Sequence, residues 1–194
     1  MLPDGVTLLG VVLSSDKTHI TQVGNHQAHP LLISLANITA DTHRKGLTNS
    51  YLLLALLPIS KFIHLIKCLH GILVDHLLHQ VIFIVIKPLK KATKVGCMMS
   101  DPLRNLTDYC FMPLATYIAD IPKQCIMACV TSNASAITMA ITEQFGDPVH
   151  CAAHTISKTC QWLIVVKLTT HSLNLFSYFQ ACQRFQLNDV LSPF

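Results

Sequence analysis

Two carboxylates stand where they could do chemistry on a phosphodiester. Asp16 follows the apolar run Val6–Leu13, and Asp120 follows the apolar run Phe111–Ala119. Carboxylates at the ends of neighbouring strands can share a divalent ion, and such an ion positions a water or hydroxyl for attack on phosphorus. The ordinary alternative is that each Asp is a turn or cap residue. A metal cluster of this kind wants a third acid. Glu143 is the only Glu in the chain, and it falls in a segment of poor periodicity.

Sulfur and imidazole offer a second chemistry. Cys125 and Cys129 are four apart on an expected helix and so share a face. Cys151 and His154 add a C-x2-H pair, and the four together would make a Cys3His zinc set. Buried thiols with a surface His explain the same residues. His70, His76 and His79 cluster on another helical stretch, where solvated or half-buried histidines are the better account. Lys87, Lys91 and Lys94 share one face of a helix end. Lysines there compensate the helix dipole, or they contact phosphate without reading sequence. No P-loop, G-x-G-x-x-G or Ser-His-Asp order is present, so neither nucleotide nor small-molecule substrate chemistry is expected.

The elements that must position these residues follow from period and punctuation. Val6–Leu13, Pro30–Ile38 and Tyr51–Pro58 read as strands, with loop composition between the second and third. Residues 62–95 change to a three- and four-residue period, which predicts one or two helices, with a kink or break at Pro88. Met98–Tyr109 is polar and turn-like. Phe111–Ala119 is a fourth strand, and Pro122 suits the first turn of a helix carrying Cys125 and Cys129. Residues 131–160 are irregular, Trp162–Lys167 is a short apolar run, and Leu173–Phe185 is a final amphipathic helix.

This is a mixed α/β chain in the order β-β-β-α-β-α. Three antiparallel strands, a helix and a fourth strand beside the first describe a partial ribonuclease-H-like core over residues 1–130. An irregular segment (131–160) and a C-terminal helical segment (161–194) would follow it.

Composition narrows the class. The chain has 194 residues, 51% hydrophobic and 12% charged, with a formal charge of +4. That charged fraction is about half the usual level, which excludes a disordered acidic or basic tail protein. The eight Cys form no tight framework, and Met1–Asp4 is no secretory leader, so reduced thiols of an intracellular protein are expected. A membrane-associated protein anchored through residues 51–86 is an alternative, although charges interrupt every apolar stretch of spanning length. A small non-catalytic zinc-binding or structural protein is another.

Six phrases carry a resemblance. They are Pro3–Thr21 (PDGVTLLGVVLSSDKTHIT), His29–Ile38 (HPLLISLANI), Arg44–Gly46 (RKG), Tyr109–Val130 (YCFMPLATYIADIPKQCIMACV), Gln144–Pro148 (QFGDP) and Ala181–Phe194 (ACQRFQLNDVLSPF). In order and spacing they resemble the Plavaka group of fungal transposases, which are related to CACTA-type cut-and-paste elements. The resemblance covers nearly the whole chain. It implies a nuclear DNA transposase with a ribonuclease-H-like domain and an Asp-Asp-Glu triad that uses Mg²⁺ or Mn²⁺.

Asp16 matches the first acid by its S-S-D-K-T context, and Asp120 fits the second by topology. The family's third acid lies farther downstream, and Glu143 does not replace it. The C-P-x-C pair frequent in the family is replaced here by Asn133–Ala136 (NASA). The expectation is a truncated, decaying transposase remnant without activity.

Overall fold

The computed structural model describes residues 5–21, 26–63, 68–148, 151–170 and 175–187. In chain order the elements are β1 (Thr7–Leu8), β2 (Val11–Ser15), β3 (Thr18–His19), β4 (Gln27–Ala28), β5 (Pro30–Leu35), α1 (Ala40–Arg44) and β6 (Leu52–Leu56). They continue with α2 (Cys68–Lys94), β7 (Cys97–Asp101), β8 (Leu106–Phe111), β9 (Leu114–Ile118), α3 (Ile121–Ala128), α4 (Ile156–Thr169) and α5 (Leu175–Arg184). The chain is thus mixed α/β. It divides into two compact units, Met1–Ile59 with Val81–Ala119, and Ser60–Gln80 with Asp120–Phe194.

The first unit is built on a four-stranded sheet of order β6-β5-β2-β9. β2 runs antiparallel to β5 from Val11↔Leu35 to Ser15↔Leu31, and parallel to β9 with Ser14 opposite Ile118. β5 runs antiparallel to β6. Paired on both sides, β2 is the core strand: Val11, Val12, Leu13 and Ser15 are buried. β6 is an edge strand, and Leu52, Leu53, Leu54 and Leu56 are exposed.

The run Val6–Leu13, expected as one strand, is two. β1 joins a separate three-stranded sheet of order β1-β8-β7, and β2 joins the four-stranded one. Gly10 marks the break. Its N–H donates to Asn37 Oδ1 at 2.9 Å, while Asn37 Nδ2 donates to the Leu8 carbonyl at 3.1 Å. A Cβ on Gly10 would sit 3.1 Å from the Ala36 Cβ, tighter than an ordinary contact. The backbone approaches closely where only glycine leaves room.

Met98–Tyr109 is not simply turn-like. It forms most of the hairpin of β7 and β8, with Met98↔Tyr109 and Asp101↔Leu106 among the pairs. Asp101 Oδ1 accepts from the N–H of Leu103 at 2.8 Å, and Asn105 takes a left-handed φ of 53°. Asp and Asn at those positions build the connection. The polar composition belongs to an exposed hairpin, and the cross-strand pairing could not be read from period alone.

α2 runs through Pro88 without ending. Ile84, whose carbonyl Pro88 cannot serve, is 68% exposed, so water can satisfy it. The helix ends instead at Gly96, which adopts a φ of +82° and donates its N–H to the Ala92 carbonyl. Thr93 Oγ1 donates to the Met112 carbonyl at 2.7 Å, tying the last turns of α2 to the link between β8 and β9. Residues 64–67 of the expected helix lie outside the described residues, as do residues 173 and 174 of the last one.

In the second unit, Trp162–Lys167 is the interior of α4 rather than an isolated run. Contiguous apolar residues do not separate helix from strand; the start signal is Thr155, whose Oγ1 accepts from the N–H of Lys158 at 3.3 Å. Leu163 and Val166 of α4 pack with Cys182 of α5 and Leu187, and the rings of Trp162 and Phe185 stack at 6.0 Å. Among the described residues, 131–148 and 151–155 contain no regular strand, but isolated bridges Ala134↔Ile141 and Thr138↔Ala153 stitch them.

Candidate functional site

β2 delivers Asp16 and β9 delivers Asp120. The last register pair of these parallel strands is Ser14↔Ile118, and each Asp stands two residues beyond it in its own chain direction. Asp16 is exposed, directly after the buried Ser15. Asp120 takes the N-cap position of α3, in extended conformation, without a side-chain cap bond. Its Oδ1 lies 3.5 Å from Lys123 Nζ, one turn into the helix. Lys123 was not among the residues expected at this site. Its signal was the i, i+3 spacing in D-I-P-K. Glu143 lies in a short 3-10 turn, Thr142–Gln144, and is exposed.

The four zinc candidates are all described, and their surroundings are those of packing groups. Cys125 is buried on α3 and its Sγ donates weakly to the Ala134 carbonyl at 3.5 Å. α3 ends at Ala128, and Cys129 is its C-cap with a left-handed φ of 58°, its N–H donating to the Cys125 and Ile126 carbonyls. Burial, aided by the nearby Cys160, pushes the Cys129 thiol up to about 12. Burial raises Cys125 as well. Zinc needs thiolates, and both sites oppose the charged form. His154 sets its ring edge-on to Trp162, with centroids 6.3 Å apart, and its Nε2 is 3.5 Å from Thr159 Oγ1. Cys151 is half-buried. Among the described residues, no three His, Cys, Asp or Glu side chains gather in a way that could hold an ion.

Of the histidines on α2, His79 is buried and its ring N–H donates to the Ile126 carbonyl at 2.8 Å. Burial lowers its pKa, more than the Ile126 bond and Asp75 raise it. It is a structural, neutral imidazole.

Lys87, Lys91 and Lys94 are exposed along α2 at i, i+4 and i+7. Lys90, beside them, holds its ammonium 4.7 Å from the centre of the half-exposed Phe83 ring. The C-terminal part of this helix is therefore an exposed cationic stripe with an aromatic at its upstream end.

A family model described as Plavaka transposase matches residues 1–194, the whole chain. The chain belongs to the Plavaka transposase family. No curated protein and no solved structure matches it.

Membership makes the chain transposase-derived, with DNA as the general partner of the family. It also raises the question of a divalent metal. Carboxylate oxygens are the right donors for Mg²⁺ or Mn²⁺. In this Plavaka chain, however, Asp120 is paired with Lys123, and no three potential ligands gather among the described residues. The described donors do not make up a complete two-metal clamp.

Within α2, His70–Lys94 is long and apolar enough to cross a membrane by length and composition, with a mean hydropathy of 1.6 over an 18-residue window.

Proposed function

We propose that this chain is a catalytically silent, DNA-contacting core of a Plavaka transposase with a partial ribonuclease-H-like fold. The observation that carries the proposal is the sheet order β6-β5-β2-β9, with β2 antiparallel to β5 and parallel to β9. The first three strands of that sheet are consecutive antiparallel neighbours. The fourth returns after a long helix to lie on the other side of the first. This order supports a ribonuclease-H-like reading, in which Asp16 and Asp120 are proposed as the counterparts of the family's first two acids.

DNA contact is assigned to Lys87, Lys91 and Lys94. Their ammonium groups are exposed on one helix face and would neutralise phosphates without reading bases. Catalysis is absent because strand cleavage by a two-metal clamp needs a more complete acid cluster. Asp16 and Asp120 are then ancestral residues, and Asp120 serves as a helix-start residue paired with Lys123.

The test uses the purified full chain with supercoiled plasmid and labelled duplex DNA, in Mg²⁺ and in Mn²⁺. Binding without nicking or joining is expected. Cleavage that disappears in Asp16→Asn would show an active cluster and remove the claim of silence. A second reading, membrane association, is favoured by the length and hydropathy of α2. Carbonate extraction of membranes from cells expressing the chain separates the two, because a spanning helix stays in the pellet.

A further inference from the structure

Cys97 and Cys110 are directly opposed across the β7/β8 hairpin. They are the first register pair of that antiparallel ladder. Residues opposed in an antiparallel pair project from the same side of the sheet, with Cα atoms about 4.5 to 5.5 Å apart whichever class of pair they form. A disulfide spans Cα separations of about 4.4 to 6.8 Å. The backbone is therefore already within bridging range, and only side-chain rotation is required.

Both sulfurs now make weak contacts. Cys97 Sγ is 3.9 Å from Met112 Sδ, and Cys110 Sγ is 3.7 Å from the Asp108 carbonyl. Both residues are free thiols. They differ in access, since Cys97 is half-buried and Cys110 is 3% exposed. No other two described cysteines are register partners. Cys129 and Cys160 lie near enough to interact, but Cys129 is fully buried.

We propose that Cys97 and Cys110 are a modification site that closes to a cross-strand disulfide under oxidation by a small disulfide such as oxidised glutathione. The accessible Cys97 thiolate attacks the glutathione disulfide, forming a mixed disulfide and releasing one glutathione thiolate. Cys110 then gives up its proton and attacks the Cys97 sulfur, releasing the second glutathione. Two protein thiols are oxidised and one glutathione disulfide is reduced to two thiols, so electrons and protons balance. Burial raises the Cys110 thiol pKa, with smaller effects from Cys97 and Asp108, so the second step is the slower one. The bridge would lie one residue beyond Gly96, the residue that ends α2, and would clamp the open end of the hairpin.

The experiment uses the full, native chain incubated with oxidised glutathione, quenched by alkylation, digested and analysed by mass spectrometry. The expected product is one peptide pair joined through Cys97 and Cys110 and released by dithiothreitol. Alkylation of Cys97 should fall first, with a transient glutathione adduct, and alkylation of Cys110 should follow as the bridge forms. In Cys110→Ser, Cys97 should accumulate as the glutathione mixed disulfide. In Cys97→Ser, which changes the more exposed member, Cys110 should stay alkylatable and unmodified. A persistent mixed disulfide at Cys97 in the unmodified protein would overturn the proposal. So would bridging of either residue to another cysteine, or oxidation of other cysteines while this pair stays reduced.

Discussion

The hydroxyl of Ser15 lies 2.5 Å from the hydroxyl of Tyr117, joining the last residue of β2 to the next-to-last pairing position of β9. Ser15 is 2% exposed, so its hydroxyl has little recourse to water. The bond fastens the two parallel strands immediately before Asp16. A buried hydroxyl that loses its partner costs about 1 to 3 kcal/mol. Tyr117→Phe should therefore destabilise the protein by roughly 1 to 2 kcal/mol, since Tyr117 itself can reach solvent. Urea denaturation of Tyr117→Phe, Ser15→Ala and the double variant measures it. Strictly additive losses would mean that the two hydroxyls do not interact.

Gly96 should tolerate no side chain. Its φ of +82° is left-handed, and a Cβ there would lie 2.7 Å from Cζ of Tyr109. The ring cannot withdraw easily, because its hydroxyl donates to the Val95 carbonyl. Gly96→Ala should lose about 1 to 2 kcal/mol from the backbone alone, with the clash added. Pairing it with Tyr109→Ala should recover only the steric part. A midpoint for Gly96→Ala equal to that of the parent protein would refute the close approach.

Stability should fall in mild acid. Burial holds the His79 pKa below the ordinary 6.5, and burial followed by the charge of Lys158 does the same to His154. A group with a depressed folded pKa binds fewer protons folded than unfolded. Its contribution is fully present above pH 6.5 and is lost as pH falls through the lower folded value. Melting temperature should thus drop as pH is lowered below about 6.5. In His79→Gln the drop should be shallower, with His154 supplying what remains. An equally steep profile in the variant would remove His79 from the account.

Duplex DNA affinity should depend on salt through the lysine stripe. Each phosphate neutralised adds about 0.9 to the slope of log K against log salt. Replacing Lys87, Lys91 and Lys94 by Gln should lower the slope by up to about 2.7, uniformly across sequences. Fluorescence anisotropy at several salt concentrations reads this directly. An unchanged slope would place DNA contact elsewhere.

Much of this protein was legible in residue order, because local physics decided it. The β-rich runs at Pro30–Leu35 and Leu52–Leu56, the helical period before Lys94 and the Pro122 start of α3 are local signals. So was the position of Asp16 just after β2 and of Asp120 just after β9, since each follows an apolar run in sequence. What tertiary structure alone decided was partnership. Only Gly10 pressed against Ala36 and held by Asn37 splits Val6–Leu13 between two sheets. Only cross-strand pairing turns Met98–Tyr109 into a hairpin and sets Cys97 opposite Cys110. The left-handed conformation at Cys129 makes it the C-cap that closes α3 rather than a residue within the helix. Period and propensity act over a few neighbouring residues, whereas register, burial and side-chain partners depend on segments far apart in the chain.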